Sequence, residues 1–287
     1  MRLALGTAQF GFSYGITNRA GQVSKSAASS ILELAASNGI NMLDTAVSYG
    51  LSEATLGLIG IKNFKLVTKL PQFPGGCDLQ GWVSAQISES FFRLNIDSAY
   101  GVLLHTSQQL EGINGVSLYR ALQSLKDKGL ASKVGISIYS PKELDSLCAK
   151  FHFDLVQAPF NLVDRRLLDT GWISRLKDKG IEIHTRSTFL QGLLLMNQAH
   201  IPLKFKPWKA IFDKWHNYLN ENDISALDAS LAYPLSFPEI DKIIVGVQSR
   251  QELMQILAAS TYLPNIGLPN LSSVDQNFVN PTNWSKI

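Results

Sequence analysis

Apolar and polar positions along this chain follow two alternating periods. Short apolar runs rich in branched side chains recur from end to end: RLALG, INMLD, FKLVTK, YGVLLH, SKVGIS, FDLVQ, IEIHTR and KIIVG. Their length and composition predict eight buried strands. Between them stand SKSAASSILELAASNG, DLQGWVSAQISESFFRL, GVSLYRALQSLKDKG, SPKELDSLCAK and SALDASLAYPLSF, whose apolar residues return every three or four positions. These predict helices, several of them closed by the glycine expected just past a helix end. The repeating unit is strand then helix. Such alternation calls for a parallel sheet, and eight units suit a closed (β/α)8 TIM barrel better than a doubly wound sheet with a second domain. One barrel domain is expected over residues 1–287, with a C-terminal tail from about residue 260 to 287. The stretch from Ser187 to Trp208 is irregular and reads as an enlarged loop after strand seven.

Composition narrows the function classes. The chain has 287 residues, 45% hydrophobic and 17% charged, with a formal net charge of +3 spread along its length. No basic stripe suggests nucleic acid, and no polybasic patch suggests a membrane surface. No apolar run approaches the roughly 20 residues of a spanning helix. MRLALGTAQF holds too short an apolar core for a secretory leader, so the expected location is cytoplasmic. Cys77 and Cys148 lack the spacing of a disulfide framework or a zinc site. A small-molecule partner is the expectation.

In a barrel of this type chemistry gathers at the C-terminal ends of the strands. Those ends carry Asp44, Lys69, His105, Gln157, Arg186 and Gly246. Each alone has an ordinary explanation: Asp44 can open a capping turn, Lys69 can be a solvated terminus, His105 a bonded core residue and Tyr49 a rim aromatic. Together they are hard to attribute to packing, because ionisable groups at a semi-buried mouth must satisfy one another. A phenol, with a reference pKa of about 10, donates a proton more readily beside an ammonium. Lys69 can be that ammonium, Asp44 its anionic partner, and His105 a donor that orients a carbonyl.

DTAVSYG, VTKL and LLH, in that order and at these separations, resemble the aldo-keto reductase superfamily, a (β/α)8 barrel with an Asp, Tyr, Lys and His tetrad. LGTAQFG, KVGIS, VQAPFNLVDRR, FLQGLLL and VGVQSRQEL extend the likeness over most of the chain, from Leu3 to about Leu257. The resemblance implies an enzyme that reduces an aldehyde or ketone with NADPH and needs no metal. Its catalytic residues would be Asp44, Tyr49, Lys69 and His105. It implies cofactor contacts by Ser137, Gln157, Asn161, Arg186, Gly246, Ser249 and Arg250, the first three at the nicotinamide end. Likeness to bacterial reductases that accompany surface-sugar biosynthesis suggests a keto-sugar substrate. A cofactor-bound regulatory subunit and an isomerase or lyase using the same Tyr and Lys are the rival readings; the oligomeric state is left open.

Several positions depart from the family pattern. The first apolar strand begins almost at once, so the N-terminal hairpin that plugs many such barrels is expected to be missing. Ile138 follows Ser137 where the family often has Asn, and Gln255 and Ile256 stand where a Glu-Asn pair is frequent. Arg186 falls where an aromatic commonly stacks on the nicotinamide. Its planar guanidinium can stack likewise, the alternative being an ion pair with Glu182 or Asp213. Arg250 can equally be a solvated charge in the first turn of the last helix.

Overall fold

In the computed structural model, which describes residues 1–261 and 267–287, all eight apolar runs are strands. They are β1 (Leu3–Gly6), β2 (Met42–Asp44), β3 (Lys65–Leu70), β4 (Ala99–Leu104), β5 (Ala131–Ser137), β6 (Leu155–Pro159), β7 (Glu182–Arg186) and β8 (Lys242–Gly246). Every neighbouring pair is parallel, and β8 returns to β1 with Leu3 opposite Ile243 and Gly6 opposite Gly246. The result is a closed (β/α)8 barrel. Part of the C-terminal tail expected from about residue 260, namely 262–266, lies outside the described residues.

The strand period of two divides each strand between two cores. Leu5, Leu43, Leu66, Val102, Val134, Val156, Ile183 and Val245 belong to the large core shared with the helices. Ala4, Met42, Val67, Leu103, Leu155 and Ile244 form a separate small core. Two residues further on from five of these, on the same face, come Asp44, Lys69, His105, Gln157 and Gly246. The alternation that buries the inner apolar layer thereby also places polar groups above it.

Several helices begin at a capping side chain. Ser24 Oγ accepts from Ala27 N ahead of the helix Lys25–Ser37, and Asp78 accepts from Gly81 N ahead of Leu79–Leu94. Helices at Ser52–Ile59, Trp172–Asp178 and Lys209–Asn222 were not evident from periodicity, whereas the helix after β8, Arg250–Thr261, opens at Arg250 as expected. The 187–208 stretch is largely a series of short 3₁₀ turns, as its irregular pattern suggested.

No strand precedes β1 among the described residues, so no hairpin of this chain plugs the barrel floor. Side chains from the strand starts gather there instead. Glu182 accepts from Tyr100 Oη at 2.7 Å, from Lys133 Nζ, and pairs with His184 Nε2 at 2.7 Å. Tyr100 in turn has the Lys65 ammonium 4.8 Å from its ring centroid. These bonds hold the Glu182 carboxyl at about 2, against the opposing effect of burial.

Candidate active site

Asp44, Lys69 and Gln157 meet at the C-terminal mouth. Lys69, fully buried on β3, donates to Asp44 Oδ1 at 2.6 Å and to the Thr45 carbonyl at 2.9 Å. Gln157 on β6 donates from Nε2 to the other carboxylate oxygen, Oδ2, at 2.6 Å. A buried charge needs this degree of satisfaction, because desolvation alone would neutralise it. Burial lowers the Lys69 pKa from 10.5, and the Asp44 carboxylate opposes that shift. Gln157 Oε1 is buried and has no partner.

Tyr49 stands on the loop after β2, where two glycines let two loops touch. A Cβ at Gly11 would lie 1.6 Å from the Tyr49 carbonyl oxygen, and Gly50 adopts φ +54 with a Cβ position 2.6 Å from the Gly11 carbonyl. The Lys69 ammonium sits 5.1 Å from the Tyr49 ring centroid, and the His105 ring packs edge-to-face against it at 5.6 Å. Burial first, then Asp44 and Tyr14, push the phenol well above 10.0, against the opposing charge of Arg186. Lys69 meanwhile donates to Asp44 and Thr45, and the buried Tyr49 is a protonated donor.

His105 directly follows β4, its amide donating to the Leu70 carbonyl at 2.9 Å. Burial, then the charges of Lys69 and Arg186, lower its pKa to about 4, so at neutral pH the imidazole is uncharged. Ser48 Oγ lies 2.9 Å from its Nδ1.

Arg186, at the end of β7, donates to the Ile138 carbonyl at 3.0 Å and to Ser187 Oγ at 3.3 Å. Its guanidinium lies 4.7 Å from the Tyr139 ring centroid. It pairs with neither Glu182, which is held at the barrel floor, nor Asp213, which Lys209 and Gln198 engage.

The other residues expected at the cofactor are dispersed. Ser137 is buried at the end of β5, in register with Gln157. Asn161 is buried with its amide engaged: Nδ2 donates to the Ser187 carbonyl, and Oδ1 accepts from Val163 N and Asp164 N. It braces a turn. Ser249 Oγ accepts from Glu252 N at 3.1 Å, and the Arg250 guanidinium points away to the Ser30 carbonyl at 3.0 Å. Gly246 forms part of the cavity wall, against the side chain of Gln9.

A cavity of about 450 Å³ runs from Asp44, Tyr49 and His105 past Tyr14, Tyr139 and Arg186 to Gly246, Gln248 and Glu252. Tyr14, Ser48, Tyr139 and Glu252 were missed by sequence reasoning, since they lie on loops or a helix and not at strand ends. A family model described as the aldo/keto reductase family matches residues 2–265. The chain belongs to the aldo/keto reductase family. This aldo/keto reductase is 26% identical over 258 residues to the oxidoreductase YqkF of Bacillus subtilis, covering 82% of this chain and 83% of that one. It is 28% identical over 262 residues to the L-galactose dehydrogenase of Arabidopsis thaliana, covering 80% and 76%. The solved holo form of an aldo-keto reductase from Bacillus halodurans shares its fold, with a TM-score of 0.73 at 20% identity over 92% of this chain and 88% of that one. This chain is accordingly an NAD(P)H-dependent oxidoreductase acting on small carbonyl compounds. The residues present fit a nicotinamide group: Gln157 Oε1, a buried acceptor without a partner, is what a carboxamide N–H would satisfy. Among the described residues, no helix is long and apolar enough to cross a membrane.

Proposed function

We propose that this aldo/keto reductase reduces an aldehyde or ketone to an alcohol with Tyr49 as proton donor. The observation that carries the reading is the convergence of Tyr49, His105 and the buried Lys69–Asp44 pair on one cavity. When bound, the dinucleotide supplies the hydride. Ser137 and Gln157 are the residues proposed to hold its carboxamide.

The protein's own part is proton delivery and orientation. Tyr49, kept protonated by burial, offers its proton as negative charge develops on the carbonyl oxygen. Lys69 stabilises the resulting phenolate, and Asp44 holds Lys69 charged in a site where it would otherwise lose its proton. Neutral His105 orients the carbonyl by hydrogen bonding. The hydroxyls of Tyr14, Ser48 and Tyr139 and the amide of Gln191 in the cavity wall suit a hydroxylated carbonyl compound such as a keto-sugar. NADPH, expected from Ser249 and Arg250, loses the support of those two side chains, which bond to Glu252 N and the Ser30 carbonyl.

Replacing Tyr49 by Phe tests the reading. Reduction of a generic aromatic aldehyde should fall by on the order of 100-fold or more, with cofactor affinity nearly unchanged. Reduction at the parent rate would remove Tyr49 as the acid.

A further inference from the structure

The cavity's far end closes on a side chain from the helix that follows β8. Ser249 Oγ accepts from Glu252 N at 3.1 Å, and Glu252 Oε2 accepts from Gln248 N at 2.7 Å. This is a reciprocal cap on the first turn of Arg250–Thr261. The free amides and positive dipole end of such a turn, after the last strand of a barrel, commonly receive a phosphate. Here the Glu252 carboxylate takes the Gln248 amide just ahead of that turn and sets a negative charge beside it.

The cations that a second phosphate would need are elsewhere. The Arg250 guanidinium donates to the Ser30 carbonyl, on the helix Lys25–Ser37. Arg186 is the only lysine or arginine in the described cavity wall. It donates to the Ile138 carbonyl and lies against the Tyr139 ring, so its guanidinium is engaged there.

We propose that Glu252 makes this enzyme select NADH over NADPH. The inference rests on the reading that the cavity binds a nicotinamide dinucleotide. A carboxylate accepts hydrogen bonds from the 2′- and 3′-hydroxyls of an adenosine ribose, as acidic residues do in other dinucleotide sites. The same carboxylate repels a 2′-phosphate and withholds the Gln248 amide from it. Glu252 thus acts as a specificity-determining residue remote from the reacting carbon.

The test is a fluorescence titration of the full chain with NADH and with NADPH, accompanied by displacement with ADP and with 2′,5′-ADP. NADH should bind at least about tenfold more tightly than NADPH, and ADP should displace it better than 2′,5′-ADP. Glu252→Gln keeps an acceptor for the Gln248 amide and so preserves the cap. It should narrow the ratio of dissociation constants by about tenfold, chiefly by tightening NADPH. Glu252→Lys should move the ratio further the same way, with thermal melting confirming that both variants fold. Equal or tighter binding of NADPH by the parent, or an unchanged ratio in both folded variants, would overturn the role of Glu252 while leaving the dinucleotide site intact. Binding of neither cofactor would overturn the site reading and this inference with it.

Discussion

The Ser48 hydroxyl lies 2.9 Å from Nδ1 of His105. His105 is neutral at pH 7, so one ring nitrogen carries the proton and the other accepts. A Ser48 hydroxyl that donates to Nδ1 leaves the proton on Nε2, where the imidazole can donate to a carbonyl oxygen. Ser48→Ala should lower kcat about three- to tenfold, the effect of one modest hydrogen bond. Ser48→Thr should restore most of the loss. Steady-state kinetics with both variants, alongside unchanged cofactor titrations, checks this; equal kcat in parent and Ala variants would dismiss Ser48 as a positioning residue.

Asp44→Asn should be costly to the fold as well as to the reaction. Asn preserves the shape, but it leaves the fully buried Lys69 ammonium without its anion. Breaking a buried pair from one side costs about 3–5 kcal/mol. Urea denaturation at pH 7 should show a loss of that order, and Lys69→Met in the same background should recover part of it.

Acid should weaken the protein in two stages. His105 moves from 6.5 to about 4 on folding, and Glu182 from 4.5 to about 2. In both cases the folded pKa is the lower, so the unfolded chain binds more protons within the window and stability falls as pH falls. His105 contributes the decline between about 6.5 and 4, Glu182 that between about 4.5 and 2. Melting temperature followed against pH should lose the first stage in His105→Gln and the second in Glu182→Gln. A parent profile flat from pH 6.5 to 4 would contradict the His105 assignment.

Arg186→Met should raise the His105 pKa. The guanidinium is one of two cations that hold it down, and Met retains bulk against Tyr139 without charge. Titration of the His105 ring protons by NMR should show an upward shift from about 4; an unchanged pKa would mean that Arg186 is screened from the ring.

The barrel was legible because strand patterning is local. A run such as FKLVTK alternates between two faces whatever lies around it, so burying Val67 inside also turns Lys69 to the same side. The run of strand ends likewise pointed to Asp44, Lys69 and His105, since polar side chains ending apolar strands need one another. What the pattern could not tell was which partner each side chain takes. Arg250 bonds to a carbonyl 220 positions away, and Gln157 bonds to Asp44 across the barrel from 113 positions away. Asn161, expected at the cofactor, also braces a turn through its amide, a role that only the folded chain shows. Glu252 sits in the first turn of the helix after β8, and the destination of its carboxylate depends on the turn from Gln248 to Ser249. Lys69 and Tyr49 show the same division. Their presence at one mouth follows from strand order, whereas the direction of the Tyr49 shift depends on how deeply the folded loops bury the phenol and on the Asp44 charge beside it.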